Sequence, residues 1–248
     1  VSGLTAALAG TSYHLVITPS ARSARPIDPI LYVLRNKAAD GVIFSRIEPH
    51  DDRVKLLIEE GFPFVSHGRT AFPAPHPYVD YDNHAFAHHA VMRLKAKGCR
   101  KVTIILPPMR FSFGHHLRDG FMQAVGAAGL DWEIMAGATL DNTAEEIRLA
   151  VMRRVGEPAP PDGFVCTGDA AALAVMAGLT DAGRRIGTDV QVVAKQTSGI
   201  FSLVRPQVDT IFEDTALAGQ QAGELLLRRI QGEAPETLQI LHQPELWF

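Results

Sequence analysis

The sequence has few of the features that mark membrane-spanning, disulfide-rich or nucleic-acid-binding proteins. Its 248 residues include only two cysteines, Cys99 and Cys166, which lie far apart and are expected to be reduced, buried thiols and not a disulfide. The longest apolar runs, such as Val102–Leu106, are too short to cross a bilayer. The net charge is −3, and no basic stripe is long enough to hold nucleic acid by itself.

Common catalytic and nucleotide-binding motifs are missing as well. The chain has no G-x-x-x-x-G-K-[ST], no G-x-G-x-x-G after a strand and no G-x-S-x-G. His84 and His88 lie one helical turn apart, but no Glu completes an H-E-x-x-H pattern, so solvated or capping histidines are the simpler interpretation. His115 and His116 are ascribed to the surface or to a pocket wall. We therefore predict no catalytic residue, no metal and no cofactor.

Short apolar runs alternate with amphipathic segments along the whole chain, in an ordinary globular composition of 46% hydrophobic and 21% charged residues. Alternation of this kind predicts an α/β protein with doubly wound parallel sheets. The predicted strands are Tyr13–Ile17, Gly41–Ser45, Pro63–Ser66, Lys101–Leu106, Glu133–Ala136, Gly163–Thr167, Val190–Ala194 and Val208–Phe212. The predicted helices are Pro29–Lys37, Asp51–Gly61, Ala85–Lys97, His116–Ala128, Asp169–Ala182 and Thr215–Ile230.

Two such sets of strands and helices occur, which favours two lobes around a hinged ligand cleft. The polar segments Val79–Asn83 and Phe212–Asp214 are the predicted crossings between lobes. On this division the N-terminal lobe comprises residues 1–81 and 213–237, and the C-terminal lobe comprises residues 82–212 and 238–248. Val1–Ala9 resembles the end of a helix, whereas such a lobe normally opens with a strand. We therefore expect the first strand to lie upstream of this sequence.

Polar residues follow three of the predicted strands, where ligands bind in open α/β sheets. They are Thr167–Asp169, Lys195–Thr197 and Glu213-Asp214. Asp169 could cap the helix that it begins or contact a ligand, and Asp214 could be a cap, a hinge or a pocket residue. Arg118 lies early in a helix, where the macrodipole disfavours a cation, so it is expected to contact either a ligand or a carboxylate.

Several motifs, taken in order, resemble the effector-binding domain of LacI-type bacterial transcription repressors, which share the periplasmic sugar-binding-protein fold. The matching segments cover nearly the whole chain: Ala39–Phe44, Pro63–Arg69, Tyr81–Asn83, Gly98–Val102, Arg118–Phe121, Pro161–Asp169, Gly187–Val190 and Asp214–Gly219. The chain departs from the family's Asn-Asp at Gly168-Asp169 and from its G-F-D-D at Ala194–Thr197. Gln196 thus replaces an acidic residue that often grips a sugar, and Lys195 adds a positive charge. The run Pro107–Phe113 is similar to a subgroup associated with α-glucoside utilisation.

This resemblance implies a cytoplasmic homodimer that binds a small effector, a sugar or more narrowly an α-glucoside, and allosterically controls operator DNA through an N-terminal domain outside this sequence. The effector residues that we predict on this basis are Arg118, Gln196, Asp169, Lys195, His67, Arg69, Phe72, Phe113, Ser45 and Asp214. A periplasmic sugar-binding protein of a transporter is the alternative, since it shares the fold. An enzyme is a third hypothesis, for which no nucleophile–base set is visible.

Overall fold

The computed structural model describes residues 1–18 and 25–248, so residues 19–24 of the predicted N-terminal lobe lie outside the described residues. Its helices are α1 (Ser2–Leu8), α2 (Asp28–Asn36), α3 (Asp52–Glu59), α4 (Asn83–Ala96), α5 (Ser112–Ala128), α6 (Ala144–Gly156), α7 (Asp169–Asp181) and α8 (Thr215–Ile230). Its strands are β1 (Val42–Phe44), β2 (Phe64–His67), β3 (Tyr78–Tyr81), β4 (Lys101–Ile105), β5 (Asp131–Ile134), β6 (Gly163–Cys166), β7 (Gln191–Gln196), β8 (Asp209–Phe212), β9 (Gln239–His242) and β10 (Glu245–Trp247).

The chain divides into two compact units, of which the first comprises residues 1–80 and 214–242. Its sheet has the order β1-β2-β3-β9, with β1, β2 and β3 parallel. Successive side chains of a strand point to opposite faces, so Phe64 packs with Ile30 and Leu57 of α2 and α3, whereas Val65 packs with Leu225 of α8. Both faces of this sheet are therefore covered by helices.

The second unit comprises residues 81–213 and 243–248 and is built around a sheet of order β10-β8-β7-β6-β4-β5. The neighbours from β8 to β5 are parallel, and β10 is antiparallel to β8. Val193 faces α4 and α5, where Phe86 and Phe121 are fully buried. Val192 faces α6 and α7, where Val151 lies in the core. Helices on both faces of parallel sheets confirm the predicted doubly wound α/β architecture.

The packing of α4 against α5 requires a glycine at position 120. A Cβ atom there would lie 2.2 Å from the carbonyl oxygen of His84, which is far inside contact distance. Any larger residue would therefore separate the two helices and displace Arg118, which lies half a turn earlier on α5.

Several boundaries differ from the sequence prediction. Residues Tyr13–Ile17 form no strand, because no described segment pairs with them, and Val16 and Ile17 are exposed. Residues 238–242 belong to the first unit and not to the C-terminal lobe, since β9 pairs with β3. Helix α6 and strands β3, β9 and β10 were not predicted, although Thr143 and Glu146 form a capping box that marks the start of α6.

Both cysteines are free and buried. Burial raises the pKa of the Cys99 thiol to about 12, so neither a thiolate nucleophile nor a disulfide is indicated there. Within the described ranges, no helix is both long and apolar enough to cross a membrane.

The first unit buries a histidine in its core. His76 is 4% exposed, its ring lies 6.0 Å from that of Phe64 and 5.8 Å from that of Tyr78, and Nε2 has no hydrogen-bond partner among the described residues. Burial lowers the pKa of His76, and a backbone hydrogen bond to Ala74 and the charge of Asp51 oppose this only in part. The folded state therefore favours the neutral imidazole.

We expect the free energy of unfolding to fall as the pH drops below about 6.5, the ordinary pKa of histidine, because the unfolded chain then binds a proton that the folded chain resists. This contribution is fully present above that pH and is lost below it. Urea titrations between pH 8 and 5 should show a flatter profile for His76→Phe than for the native chain. The exposed His50→Phe is the control, and an equal effect of both substitutions would contradict this assignment.

Candidate functional site

The carboxyl ends of the parallel strands in the second unit meet at one edge of the sheet. Strand β4 lies between β6 and β5, and α5 and α7 leave β4 and β6 toward opposite faces. Ligands in open α/β sheets bind at such a reversal of strand order. The hydroxyl of Thr167, which is buried, donates a hydrogen bond of 2.6 Å to the carbonyl of Ile105 and so joins the two strand ends.

Asp169 organises the loop that follows β7. Its carboxylate accepts hydrogen bonds from the Thr197 amide at 3.0 Å, the Thr197 hydroxyl at 2.9 Å and the Ser198 hydroxyl at 2.9 Å. It does not cap α7, whose N-cap residue is Gly168 and has no side-chain cap. Asp169 thus brings the ends of β6 and β7 together, and a bound ligand would meet a carboxylate that already holds three hydrogen bonds.

Gln196 is the last residue of β7 and is 3% exposed. Its carbonyl accepts a hydrogen bond of 2.9 Å from the Glu213 amide, which continues the pairing of β7 with β8. Because strand side chains alternate, Gln196 lies on the α7 face with Ala194, whereas Lys195 lies on the α4 face. Lys195 and Gln196 are therefore adjacent in sequence but lie on opposite faces of the sheet.

Lys195 is buried inside the second unit at 6% exposure. Its Nζ atom lies 2.9 Å from Oε2 of Glu213 and donates a short hydrogen bond to Oδ1 of Asn83. The ammonium also lies 4.4 Å from the ring centre of Tyr81. The positive charge that the sequence places beside Gln196 is thus compensated within the protein.

An aromatic pair lies at the beginning of α5. The rings of Phe111 and Phe113 stack with their centres 5.7 Å apart, and the guanidinium of Arg110 lies 4.3 Å from the centre of the Phe111 ring. Arg110 also pairs with Asp141 at 2.9 Å. These contacts fix the segment between β4 and α5 and the first turn of α5, which carries Phe113, one of the two aromatic residues that the sequence assigns to the site.

Arg118 pairs with its neighbour Asp119, with Nη2 and Oδ1 2.7 Å apart. The Arg118 side chain is 41% exposed and that of Asp119 is 56% exposed. An exposed pair of this kind contributes little to stability and is easily exchanged for another partner. Arg118 therefore forms a carboxylate contact in this conformation, one of the two roles predicted for it.

The other predicted residues lie in the first unit. Ser45 is exposed after β1, and His67 ends β2. Arg69 pairs with the buried Asp80 at 3.4 Å. Phe72 packs beside the core of α2 and α3, with its ring 5.6 Å from that of His50.

Asp214 is the N-cap of α8. Its carboxylate accepts hydrogen bonds from the amides of Ala216 at 3.0 Å and Leu217 at 2.8 Å. Of the roles left open for this residue, the structure shows the helix cap.

Sequence reasoning missed an arginine of α3 that packs against the end of β1. Arg53 stacks 4.7 Å from the ring centre of Phe44 and donates to the carbonyl of Arg46 at 3.0 Å. It also binds Asp51, the buried N-cap of α3, at 2.6 Å. Burial by itself would raise the pKa of Asp51, but the hydrogen bonds and charge of Arg53 hold it below its ordinary value. An arginine two residues after a cap-forming aspartate was the signal that the sequence offered.

The geometry separates the predicted residues by unit. Arg118, Gln196, Asp169, Lys195 and Phe113 belong to the second unit, and His67, Arg69, Phe72, Ser45 and Asp214 belong to the first. In the part of the chain that the structure describes, no cluster of three or more His, Cys, Asp or Glu side chains is arranged to hold a metal ion. The strand ends of the second unit offer hydroxyl, amide and carboxylate groups, which suit hydrogen bonding to a polar ligand.

Comparisons with known proteins identify a family and relatives that this chain resembles. Residues 91–247 match the family described as periplasmic binding protein-like domain. The chain is 28% identical over 252 residues to the HTH-type transcriptional regulator CelR of Thermobifida fusca, a match that covers 99% of this chain and 73% of that protein.

Two solved structures have similar folds. A regulatory protein of the LacI family from Chloroflexus aggregans superposes with a TM-score of 0.85 at 27% identity, covering 99% of this chain and 88% of that one. A complex of the transcriptional regulator CelR with cellobiose gives a TM-score of 0.86 at 26% identity, covering 100% and 76%.

We expect Asp169→Ala to lower the free energy of unfolding by about 2 kcal/mol, because three donors lose a charged acceptor. Urea unfolding would measure the change. Asp119→Ala is the control, since it removes an exposed carboxylate and should leave stability close to that of the native chain. Equal effects of the two substitutions would show that Asp169 does not hold the loop after β7.

Proposed function

The chain belongs to the family of periplasmic binding protein-like domains, and on that premise we propose that it is the effector-sensing domain of a LacI-type transcription regulator. The proposal is supported by relatives that are themselves HTH-type or LacI-family regulators over nearly the full chain. The observation that carries it is the set of hydrogen-bonding groups at the strand ends of the second unit. We place the effector there, at the reversal of strand order.

The proposed effector is a neutral sugar, an α-glucoside being one candidate class. Gln196 can both donate and accept hydrogen bonds, as a sugar hydroxyl can, and the hydroxyls of Thr197 and Ser198 extend this pattern. Phe113 offers an aromatic face for the apolar side of a sugar ring, and Arg118 adds further donors. A relative whose solved structure is a complex with cellobiose supports a carbohydrate ligand.

In this proposal the effector alters operator binding by an N-terminal DNA-binding domain outside the sequence. It can do so only if it binds one conformational state more tightly than another, and the change in DNA affinity cannot exceed that difference. We further propose that the regulator acts in the cytoplasm and has no catalytic activity, as the names of its relatives support. The same names disfavour the transporter alternative.

We also propose that the chain forms a homodimer. The segment after β7 exposes apolar side chains, with Leu203 83% exposed and Ile200 38% exposed. These two side chains lie three residues apart, and contact with a second copy of the chain would remove their apolar surface from water. The resemblance to LacI-type repressors, which implies a homodimer, is consistent with the same assembly.

We expect the purified chain to bind at least one sugar in isothermal titration calorimetry against cellobiose, maltose and other α- and β-glucosides. Arg118→Ala and Gln196→Ala should each lower the affinity about 10- to 100-fold, because each removes hydrogen bonds to sugar hydroxyls. Arg148→Ala is the control, since Arg148 pairs with Glu145 and Asp181 on α6 and α7. Unchanged affinity in both Arg118→Ala and Gln196→Ala would show that the sugar does not bind at the proposed site.

Leu203→Asp should shift the chain from dimer to monomer in sedimentation velocity, because it introduces a charge into the proposed interface. Leu246→Asp, on the edge strand β10, is the matched control at another exposed leucine and should leave the dimer intact. A native chain that is monomeric at high concentration would contradict the dimer, and an unchanged dimer in Leu203→Asp would contradict this interface.

A further inference from the structure

The buried ammonium of Lys195 is surrounded by groups from several elements of the second unit. Lys195 lies near the end of β7, Glu213 follows β8, and Asn83 is the first residue of α4. All three are at least nine-tenths buried, at 6%, 8% and 4% exposure. The rings of Tyr81 and Phe86 lie 4.4 Å and 5.3 Å from the Lys195 nitrogen and line the remaining side.

The partners of Lys195 are the residues at which the chain enters and leaves the second unit. The unit begins at Tyr81 and its main segment ends at Glu213. Asn83 donates from Nδ2 to the carbonyl of Tyr81 at 3.1 Å, and Glu213 donates its amide to the carbonyl of Gln196 at 2.9 Å. One side chain therefore ties both crossing segments to the central strand β7.

Neighbouring contacts reinforce the same region. The hydroxyl of Tyr81 donates to the carbonyl of Phe212 at 3.4 Å, so the two segments also contact each other directly. Gln243, where the chain returns to the second unit, donates to Asp82 at 3.4 Å. Burial, and then the charge of Glu213, raise the pKa of Tyr81, so the phenol stays neutral and donates.

We infer that Lys195 is a positioning residue and not an effector ligand: with Glu213 and Asn83 it forms a buried lock that fixes the segments Tyr81–Asn83 and Phe212–Glu213 to strand β7. Its charge is satisfied internally by a carboxylate, an amide oxygen and aromatic faces. Two of its three N–H donors are held by Asn83 and Glu213, and the rings of Tyr81 and Phe86 line the remaining side, so Lys195 is poorly placed to turn toward a ligand without breaking the lock. The inference refines the proposed effector site by removing Lys195 from it.

The test compares the native chain with Lys195→Met, Glu213→Gln and the double variant. Each single substitution should lower Tm by about 10 °C, because it leaves a buried polar or charged partner without its counterpart. The double variant should regain most of that loss, since neither charge remains. Lys101→Met is the control. Lys101 forms an ion pair with Glu133 at 2.8 Å on the same sheet but is more exposed, so its loss should lower Tm by much less than that of Lys195.

Hydrogen–deuterium exchange then separates a local lock from general stability. In the double variant, and in any single variant that folds, peptides covering residues 78–86 and 209–216 should exchange at least about tenfold faster than in the native chain. Peptides from β4 and β6 should keep native exchange rates. This selective pattern supports the lock, whereas unchanged or uniformly faster exchange in the folded double variant would overturn it.

These measurements use no effector, so they remain decisive if the proposed sugar binding fails. If a sugar from the calorimetric panel does bind, its affinity provides a second measurement. The lock predicts that the double variant keeps that affinity within about threefold. A loss as large as that of Gln196→Ala would show that Lys195 contacts the ligand.

Discussion

The parallel sheet of the second unit, covered by helices on both faces, is the constraint on which the rest of the structure depends. Both faces of β4, β6 and β7 are closed by α4, α5, α6 and α7, so side chains in the middle of these strands are almost all apolar. Thr103 of β4 is an exception, since it is fully buried and its hydroxyl has no hydrogen-bond partner among the described residues. Polar chemistry is thereby concentrated at the strand ends. Thr167, Asp169 and Gln196 all lie where a strand stops, and the hydroxyl of Thr167 returns to the neighbouring strand.

The amino-acid sequence reflects this constraint in its pattern of apolar runs followed by polar residues. Short continuous apolar runs such as Gly163–Cys166 are consistent with strands buried on both sides, and the polar residues after them mark the ligand-binding edge. For this reason the doubly wound fold and the likeness to LacI-type regulators were both predicted, and the comparisons confirm them. The strand that the sequence predicts at Tyr13–Ile17 does not form, because an apolar run becomes a strand only where a neighbouring strand pairs with it.

What the sequence could not provide is contact between residues far apart in the chain. For Asp169 the sequence left a helix cap and a ligand contact open, and neither alternative indicated that its carboxylate reaches Thr197 and Ser198, 28 and 29 residues away. Likewise β9 joins the first unit through β3, more than 150 residues earlier. Periodicity reports which face of an element is apolar and does not report which distant polar group completes a hydrogen bond.

The adjacent residues Lys195 and Gln196 show how one register decides the character of a site. Alternation along β7 directs Lys195 toward α4, where Glu213 and Asn83 compensate its charge, and leaves Gln196 on the side of α7. A shift of one residue would exchange the two and place an ammonium beside Asp169. Because the charge is taken up inside the unit, the group left at the end of β7 is a neutral amide. A neutral amide suits an uncharged polyol better than an anion, and this is the physical basis for proposing a sugar as the effector.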